Sequence, residues 1–156
     1  MKKFYLCAAV LLALYACGGG EKSDATASTE APKSMVADPS SYDPHRGEGK
    51  FTTVELGDKL DVAMANAGEK IQGVKCSPCH KLSDEKLVGP GWKGVTSRKK
   101  PEWVMNFITN PDAMIDKDPE LQAQLELCLV RMPNQNLTDT EAREVFEFMR
   151  KNDGVQ

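Results

Sequence analysis

The sequence has no excess of basic residues, no long apolar run and no convincing alternating pattern typical of a β-strand. Its 20 lysines and arginines are set against 23 aspartates and glutamates, so it lacks the positive field that holds nucleic acid. A chain of 156 residues allows one modest domain with tails but not two independent cores. We therefore expect an all-α fold with one functional centre and no nucleic-acid partner.

The N-terminus has the pattern of a secretory signal. Two lysines precede an apolar run from Phe4 to Leu14, which is too short to cross a bilayer as a permanent helix. The next residues, Leu14-Tyr15-Ala16-Cys17, resemble the bacterial lipoprotein lipobox, in which the cysteine is acylated and becomes the new N-terminus. We expect residues 1–16 to be a lipoprotein-type signal peptide. The alternative is ordinary cleavage that leaves Cys17 as a spare thiol.

The composition then changes to Gly, Ser, Thr, Ala, Asp and Pro, with few large apolar residues to offset the entropy of ordering. We interpret residues 17–50 as a flexible tether that is lipidated at Cys17. Several acyl chains would hold the protein on a membrane. This interpretation predicts a protein anchored on the periplasmic or cell-envelope side of a bacterial membrane, with its folded domain at residues 51–156.

Four segments of that domain predict helices. Their evidence is an apolar stripe, a proline in the first turn, or a capping box. They run from about Asp58 to Val74, from Pro101 to just before Pro111, onward from Asp118-Pro119, and onward from the capping box Thr138-Asp139-Thr140-Glu141. The expected architecture is about four helices wrapped around one cofactor.

The motif Cys76-Ser77-Pro78-Cys79-His80 identifies that cofactor, because Cys-x-x-Cys-His is the attachment signature of c-type haem. Two thiols three residues apart lie on one face of a helical turn, where they can add to the two haem vinyl groups. The adjacent imidazole is then presented to the iron. We expect one covalent haem, with His80 as its proximal ligand.

A cysteine pair of this spacing has two other common uses. A structural zinc site needs a second pair of ligands, and only His45 and the lone Cys128 remain. A thioredoxin-like redox motif needs a strand–helix–strand setting, which the sequence does not offer. Haem attachment is favoured over both alternatives.

Met132 is the favoured second axial ligand. It precedes Pro133, which disfavours helical conformation at Met132, and it comes late enough for the chain to reach the far side of a haem. The alternatives are Met114, which we also expect in a loop, and His45. The other methionines of the domain lie on helical apolar stripes typical of core residues.

These residues resemble the class I cytochrome c family from about Gly68 to Lys151. The segment Val88-Gly89-Pro90-Gly91-Trp92-Lys93-Gly94-Val95 is similar to the family's proximal Gly-Pro-x-x-x-Gly-Val segment. The segment from Met132 to Ala142 is similar to its axial-methionine loop and the start of its last helix. The resemblance implies that the Pro90 carbonyl accepts a hydrogen bond from His80, which would orient the imidazole.

A haem with both axial positions filled by protein favours electron transfer over catalysis. We therefore expect a membrane-tethered electron carrier to a terminal oxidase or reductase, and not an enzyme. The alternative is a haem-based sensor or small-ligand enzyme, in which Met132 dissociates to admit a peroxide or a gas. Lysines on both sides of the motif, including Lys75 and Lys81, are consistent with a redox partner that has an acidic docking surface. The alternative is that they are only a solvated surface.

Overall fold

The computed structural model describes residues 42–156. These residues form six α-helices and no strand, which confirms the expected all-α class. The helices are α1 Val62–Ile71, α2 Val95–Arg98, α3 Pro101–Thr109, α4 Pro111–Ile115, α5 Pro119–Cys128 and α6 Asp139–Asn152. No helix in this part of the chain has the length and apolar character needed to cross a membrane. The signal peptide, Cys17 and residues 18–41 lie outside the described residues.

Helix α1 leads directly into the haem motif. The Asp61 side chain caps its N-terminus by accepting a hydrogen bond from the Met64 amide. At its other end the helix widens into a π-helical turn, Gln72–Cys76. The α-helix is therefore shorter than the expected Asp58–Val74, while the π-helical turn carries helical structure as far as Cys76.

The closest packing in the fold is between α1 and α6. The spacing of Leu60, Met64, Ala67 and Ile71 predicts that they form the buried apolar stripe of the first helix, but the residues buried at the contact are Ala65 and Gly68. A Cβ atom on Gly68 would lie 2.0 Å from the Glu144 carbonyl oxygen, so only glycine permits this approach. The larger residues of the stripe are half-buried at the edges of the contact.

Helix α6 forms as its sequence predicts. Thr138 accepts a hydrogen bond from the Glu141 amide, and the Glu141 side chain accepts one from the Thr138 amide. Its buried face includes Val145 and Phe146, each about 1% exposed, and this face supplies most of the contact with α1. The capping box therefore fixes the start of the helix on which the core is built.

Helices α3, α4 and α5 each have proline in the first turn. The expectation that Met114 lies in a loop is wrong, because it lies in α4 with a fully buried side chain. It packs against Gly47, where a Cβ atom would come within 2.4 Å of the methionine methyl group. Asn110-Pro111 ends α3, but the same proline begins another short helix.

Residues 42–50 belong to the folded domain, which corrects the expected boundary at Phe51. The buried Tyr42 hydroxyl donates a hydrogen bond of 2.5 Å to Asp118, and the Trp103 indole donates to the same carboxylate oxygen at 3.1 Å. The buried Asn106 amide donates to the Arg46 carbonyl. These polar anchors come from α3 and from the N-cap residue of α5, so the composition of the segment alone does not reveal them.

A buried carboxylate joins α6 to the chain that precedes α1. Glu147 is fully buried and accepts hydrogen bonds from Arg143, Arg150 and the Asp61 amide. Arg150 also donates to the Gly57 carbonyl at 2.9 Å. Burial disfavours the charged form of Glu147, but these donors outweigh it and lower the pKa of its carboxyl group.

Candidate haem site

Cys76 ends the π-helical turn, and Cys79 and His80 follow it in one tight backbone turn. The amides of Cys79 and His80 both donate to the Cys76 carbonyl, at 3.0 and 2.9 Å. Cys76 is buried, Cys79 is half-buried, and neither is in a disulfide. Burial raises the pKa of the Cys76 thiol to about 11 against the opposing effect of Lys75.

The His80 imidazole is fixed by the Pro90 carbonyl. Its Nδ1 lies 2.8 Å from that oxygen, and because a carbonyl only accepts, Nδ1 must carry the proton. The lone pair of the neutral ring therefore resides on Nε2, which is the atom left to bind a metal. Burial lowers the pKa of the imidazole, although the Pro90 bond opposes that shift.

The loop after His80 lies against the imidazole because it contains Gly89. A Cβ atom there would lie 2.5 Å from His80 Cε1, so no larger residue fits without moving the ring. The amides of Val88 and Gly89 both donate to the Cys79 carbonyl. Trp92 completes this side, with its ring centroid 5.7 Å from that of the imidazole.

These residues form one wall of a cleft, which we call the haem cleft. Helices α3 and α5 and the segment around Met132 form most of the rest, with one residue each from α4 and α6, and the lining is predominantly apolar. Its residues are Lys75, Cys76, Cys79, His80, Val88, Gly89, Pro90, Trp92, Phe107, Ile108, Ile115, Leu121, Gln124, Leu125, Cys128, Val130, Met132, Pro133, Gln135, Leu137 and Val145. The empty volume is about 910 Å³, including the part open to solvent.

A family model described as cytochrome c matches residues 65–153. The chain belongs to the cytochrome c family. Within this family it is a class I c-type cytochrome, whose cofactor is haem c and whose general role is haem-based electron transfer. No curated protein matches this cytochrome.

Solved structures support this assignment. A cytochrome c from Rhodothermus marinus is 32% identical, with a TM-score of 0.65, and the match covers 67% of this chain and 90% of that one. An engineered Rhodothermus marinus cytochrome c bound to a carbene intermediate is 31% identical, with a TM-score of 0.61 and the same coverage. The likeness thus covers most of the known fold.

The haem cleft of this cytochrome fits a haem in its chemistry. Its apolar lining suits a porphyrin. Two thiols, an imidazole and a thioether are the donors that c-type haem uses. A bound haem would supply one-electron chemistry at its iron.

The structure brings all the predicted haem-site residues to this one cleft: Cys76, Cys79, His80, Pro90 and Met132. Met132 is half-buried and packs against the core. The two rival ligands are elsewhere, because Met114 is enclosed in the core and His45 is exposed. Neither lines the haem cleft.

Helix α5 contributes residues to the cleft that sequence reasoning did not assign. Its position on a predicted helix suggests that Cys128 is a small buried apolar residue, but it is only half-buried and lines the cleft together with Gln124. Their four-residue spacing places them on one helix face. That spacing is visible in the sequence, but which face meets the haem cleft depends on how α5 crosses it.

Proposed function

We propose that this cytochrome is a membrane-tethered electron carrier to a terminal oxidase or reductase outside the cytoplasm. In this proposal Cys76 and Cys79 hold one haem by thioether bonds, and His80 and Met132 are its axial ligands. The main observation in support is that all four side chains line one cleft. The family's general electron-transfer role is consistent with the proposal.

The protonation of His80 supports its role as the proximal ligand. The Pro90 carbonyl accepts a hydrogen bond from protonated Nδ1, and a neutral imidazole with a free Nε2 is the form that binds iron. The same bond raises the basicity of the ring and fixes its orientation. Gly89 and Trp92 keep the imidazole in place while the iron changes oxidation state.

Met132 would close the other side of the iron. With protein ligands on both sides, no position remains for a substrate, which favours electron transfer. A thioether opposite an imidazole also raises the reduction potential, because it prefers ferrous iron. Such a potential suits a carrier that delivers electrons to a terminal acceptor.

Replacement of Met132 tests this assignment. We expect Met132→Ala to retain covalent haem, lower the reduction potential and admit external ligands such as imidazole. The oxidised protein should also lose the weak red-end absorption band of methionine-ligated iron. Met114→Ala is the matched control, since Met114 lies in the core outside the cleft. If Met114→Ala produces the spectral change instead, the assignment of Met132 is wrong.

A haem-based sensor or small-ligand enzyme is the second candidate function. The engineered Rhodothermus marinus relative is described as bound to a carbene intermediate, so a small ligand is accommodated in that protein. In this cytochrome the same use requires Met132 to leave the iron. Carbon monoxide binding to the ferrous wild-type protein tests this requirement. Rapid binding favours the sensor or enzyme, and no binding favours the carrier.

The membrane tether is proposed from the sequence Leu14-Tyr15-Ala16-Cys17. Acylation of Cys17 by several chains would anchor the protein firmly on the periplasmic or cell-envelope side of a bacterial membrane. Mass spectrometry of the native N-terminus tests the proposal. An unacylated chain, or one that begins at another residue, would contradict it.

The proposed redox partner has an acidic docking surface, recognised by basic residues near the haem cleft. Association should then slow as salt rises, because charges are screened over about 8 Å at physiological ionic strength. Lys75 and Lys81 flank the haem motif, but each is paired with a carboxylate of the same chain, Glu141 at 3.4 Å and Glu85 at 2.8 Å. Basic residues without such a carboxylate partner are therefore better candidates for recognising the redox partner.

A further inference from the structure

A second cleft adjoins the haem cleft on the His80 side. It lies between the loop before α2 and the end of α5, with an empty volume of about 720 Å³ including the part open to solvent. Its lining residues are Asp84, Lys86, Pro90, Gly91, Lys93, Arg98, Gln124, Leu127 and Cys128. We call it the basic cleft. It shares Pro90, Gln124 and Cys128 with the haem cleft.

Three cationic side chains line the basic cleft against one carboxylate. Within residues 42–156, no carboxylate lies within 4.0 Å of the charged groups of Lys86, Lys93 or Arg98. The charges of Lys75 and Lys81, by contrast, are balanced by the chain itself. The basic cleft therefore keeps a net positive charge that is available to an anion.

Two of these cations are positioned without being neutralised. Arg98 donates from Nη1 to the Lys93 carbonyl at 2.9 Å and lies over Gly94, where a Cβ atom would come within 2.7 Å of the guanidinium. Lys86 donates to the Leu127 carbonyl at 2.7 Å. A carbonyl acceptor fixes a cation but leaves its charge and its other N–H groups free. Folding already restricts the Arg98 and Lys86 side chains, so less side-chain entropy is lost when an anion binds.

Two exposed leucines lie at the end of α5, and Leu127 is one of the residues that line the basic cleft. Leu127 is 72% exposed and Leu129 is 85% exposed. Leu129 also has a left-handed backbone, with φ of 58°, which costs a leucine about 1 kcal/mol. Apolar side chains bordered by polar and charged groups are typical of a protein–protein interface.

We propose that the basic cleft and these two leucines form the docking surface for the redox partner, and that an acidic side chain of the partner enters the cleft. This inference rests on the proposed electron-carrier function. The occupant is an acidic protein surface, because cationic side chains without carboxylate partners and exposed apolar side chains occur together here. A partner docked there lies next to Pro90, whose carbonyl accepts a hydrogen bond from His80.

An anionic paramagnetic probe tests the location. Hexacyanochromate(III) added to the haem-loaded protein should broaden the amide NMR signals of Lys93, Gly94 and Leu127 before others. Lys86→Gln with Lys93→Gln should abolish that broadening. The matched control is Lys59→Gln with Lys70→Gln, two exposed lysines that also lack a carboxylate partner among the described residues. Broadening centred on Lys75 and Lys81 would overturn the inference.

Electron transfer to hexacyanoferrate(III) gives a second readout. One electron leaves the ferrous haem and reduces the reagent to hexacyanoferrate(II). At low salt the basic-cleft pair should slow this reaction about threefold more than the control pair does. Equal slowing by both pairs would show an effect of net charge alone and overturn the inference. A wild-type protein that does not reduce the reagent would contradict the carrier function, while the NMR map still decides whether the cleft binds anions.

Tris(phenanthroline)cobalt(III) provides the opposite charge. The same basic-cleft variant should react faster with this cationic oxidant, because the repulsion is removed. If the variant transfers electrons more slowly to both oxidants, the substitutions have damaged the haem site. Its optical spectrum would then differ from that of the wild type. The inference requires an unchanged spectrum together with opposite effects on the two rates.

Discussion

At the scale of single residues, the haem site depends on a glycine that the haem motif does not include. Gly89 lies so close to the His80 imidazole that a Cβ atom would overlap Cε1, at 2.5 Å. Because Pro90 follows directly, any shift of this backbone also moves the carbonyl that accepts the Nδ1 proton. The orientation of His80 is thus set by two adjacent residues.

We expect Gly89→Ala to leave the haem covalently attached, because thioether formation needs only the two thiols. The displaced imidazole should lose much of its bond to Pro90, and stability should fall by about 2 kcal/mol. Faster solvent exchange of the His80 ring N–H, measured by NMR, checks the first effect, and denaturant unfolding checks the second. Gly57→Ala is the control, since its Cβ would meet only the Lys59 carbonyl at 3.5 Å. Unchanged N–H exchange in Gly89→Ala would contradict the prediction.

The sequence predicts residues of the site where the chemistry is local. The spacing of Cys76, Cys79 and His80 is sufficient by itself, the proline after Met132 favours that methionine as a ligand, and the resemblance to class I cytochromes c supplies Pro90. The contribution of Cys128 depends on how α5 crosses the haem cleft, which is a long-range property. Likewise, the pairing of a lysine with a carboxylate far along the chain cannot be inferred from a run of basic residues.

At the scale of helices, the contact between α1 and α6 depends on Gly68. We expect Gly68→Ala to lower the free energy of unfolding by about 3 kcal/mol, because its Cβ would lie 2.0 Å from a backbone carbonyl that cannot rotate away. Denaturant unfolding of the haem-loaded protein measures the loss. Gly73→Ala, whose Cβ would meet nothing within 4 Å, should change stability by no more than about 1 kcal/mol. Equal effects of the two substitutions would show that helix propensity, and not the contact, dominates.

Helix boundaries follow from the sequence where capping residues mark them. Thr138 and Glu141 predict the start of α6, and Pro101 and Pro119 predict the starts of α3 and α5. The sequence does not predict helix α4, because Pro111 signals the end of one helix as readily as the start of another. Its five residues are stabilised by burial of Met114. Such tertiary packing cannot be predicted from a short segment of sequence.

At the scale of the whole molecule, Glu147 links the last helix to the segment before α1. We expect Glu147→Gln to lower the free energy of unfolding by about 3 kcal/mol at neutral pH, because it leaves two arginines without their carboxylate. Equilibrium unfolding at several pH values measures the effect. Glu85→Gln, which removes an exposed ion pair, should cost about 0.5 kcal/mol or less.

The pH dependence of this effect has a definite sign. The pKa of Glu147 is lowered by folding, so its contribution is fully present above the unfolded pKa of about 4.5. It is lost as pH falls through the lower pKa of the folded protein. The stability gap between the wild type and Glu147→Gln should therefore shrink in acid. A gap that stays constant down to the acid transition would show that the charge of Glu147 is not its source.

The packing of α1 against α6 also fixes an order of events during synthesis. Their closest contact joins Gly68 to Glu144, and the Leu60 amide donates to the Gln156 carbonyl at 3.2 Å. A ribosome releases the N-terminal part of a chain first, so the cysteines emerge well before the helix that encloses them. The core between α1 and α6 therefore cannot form until the last helix is complete.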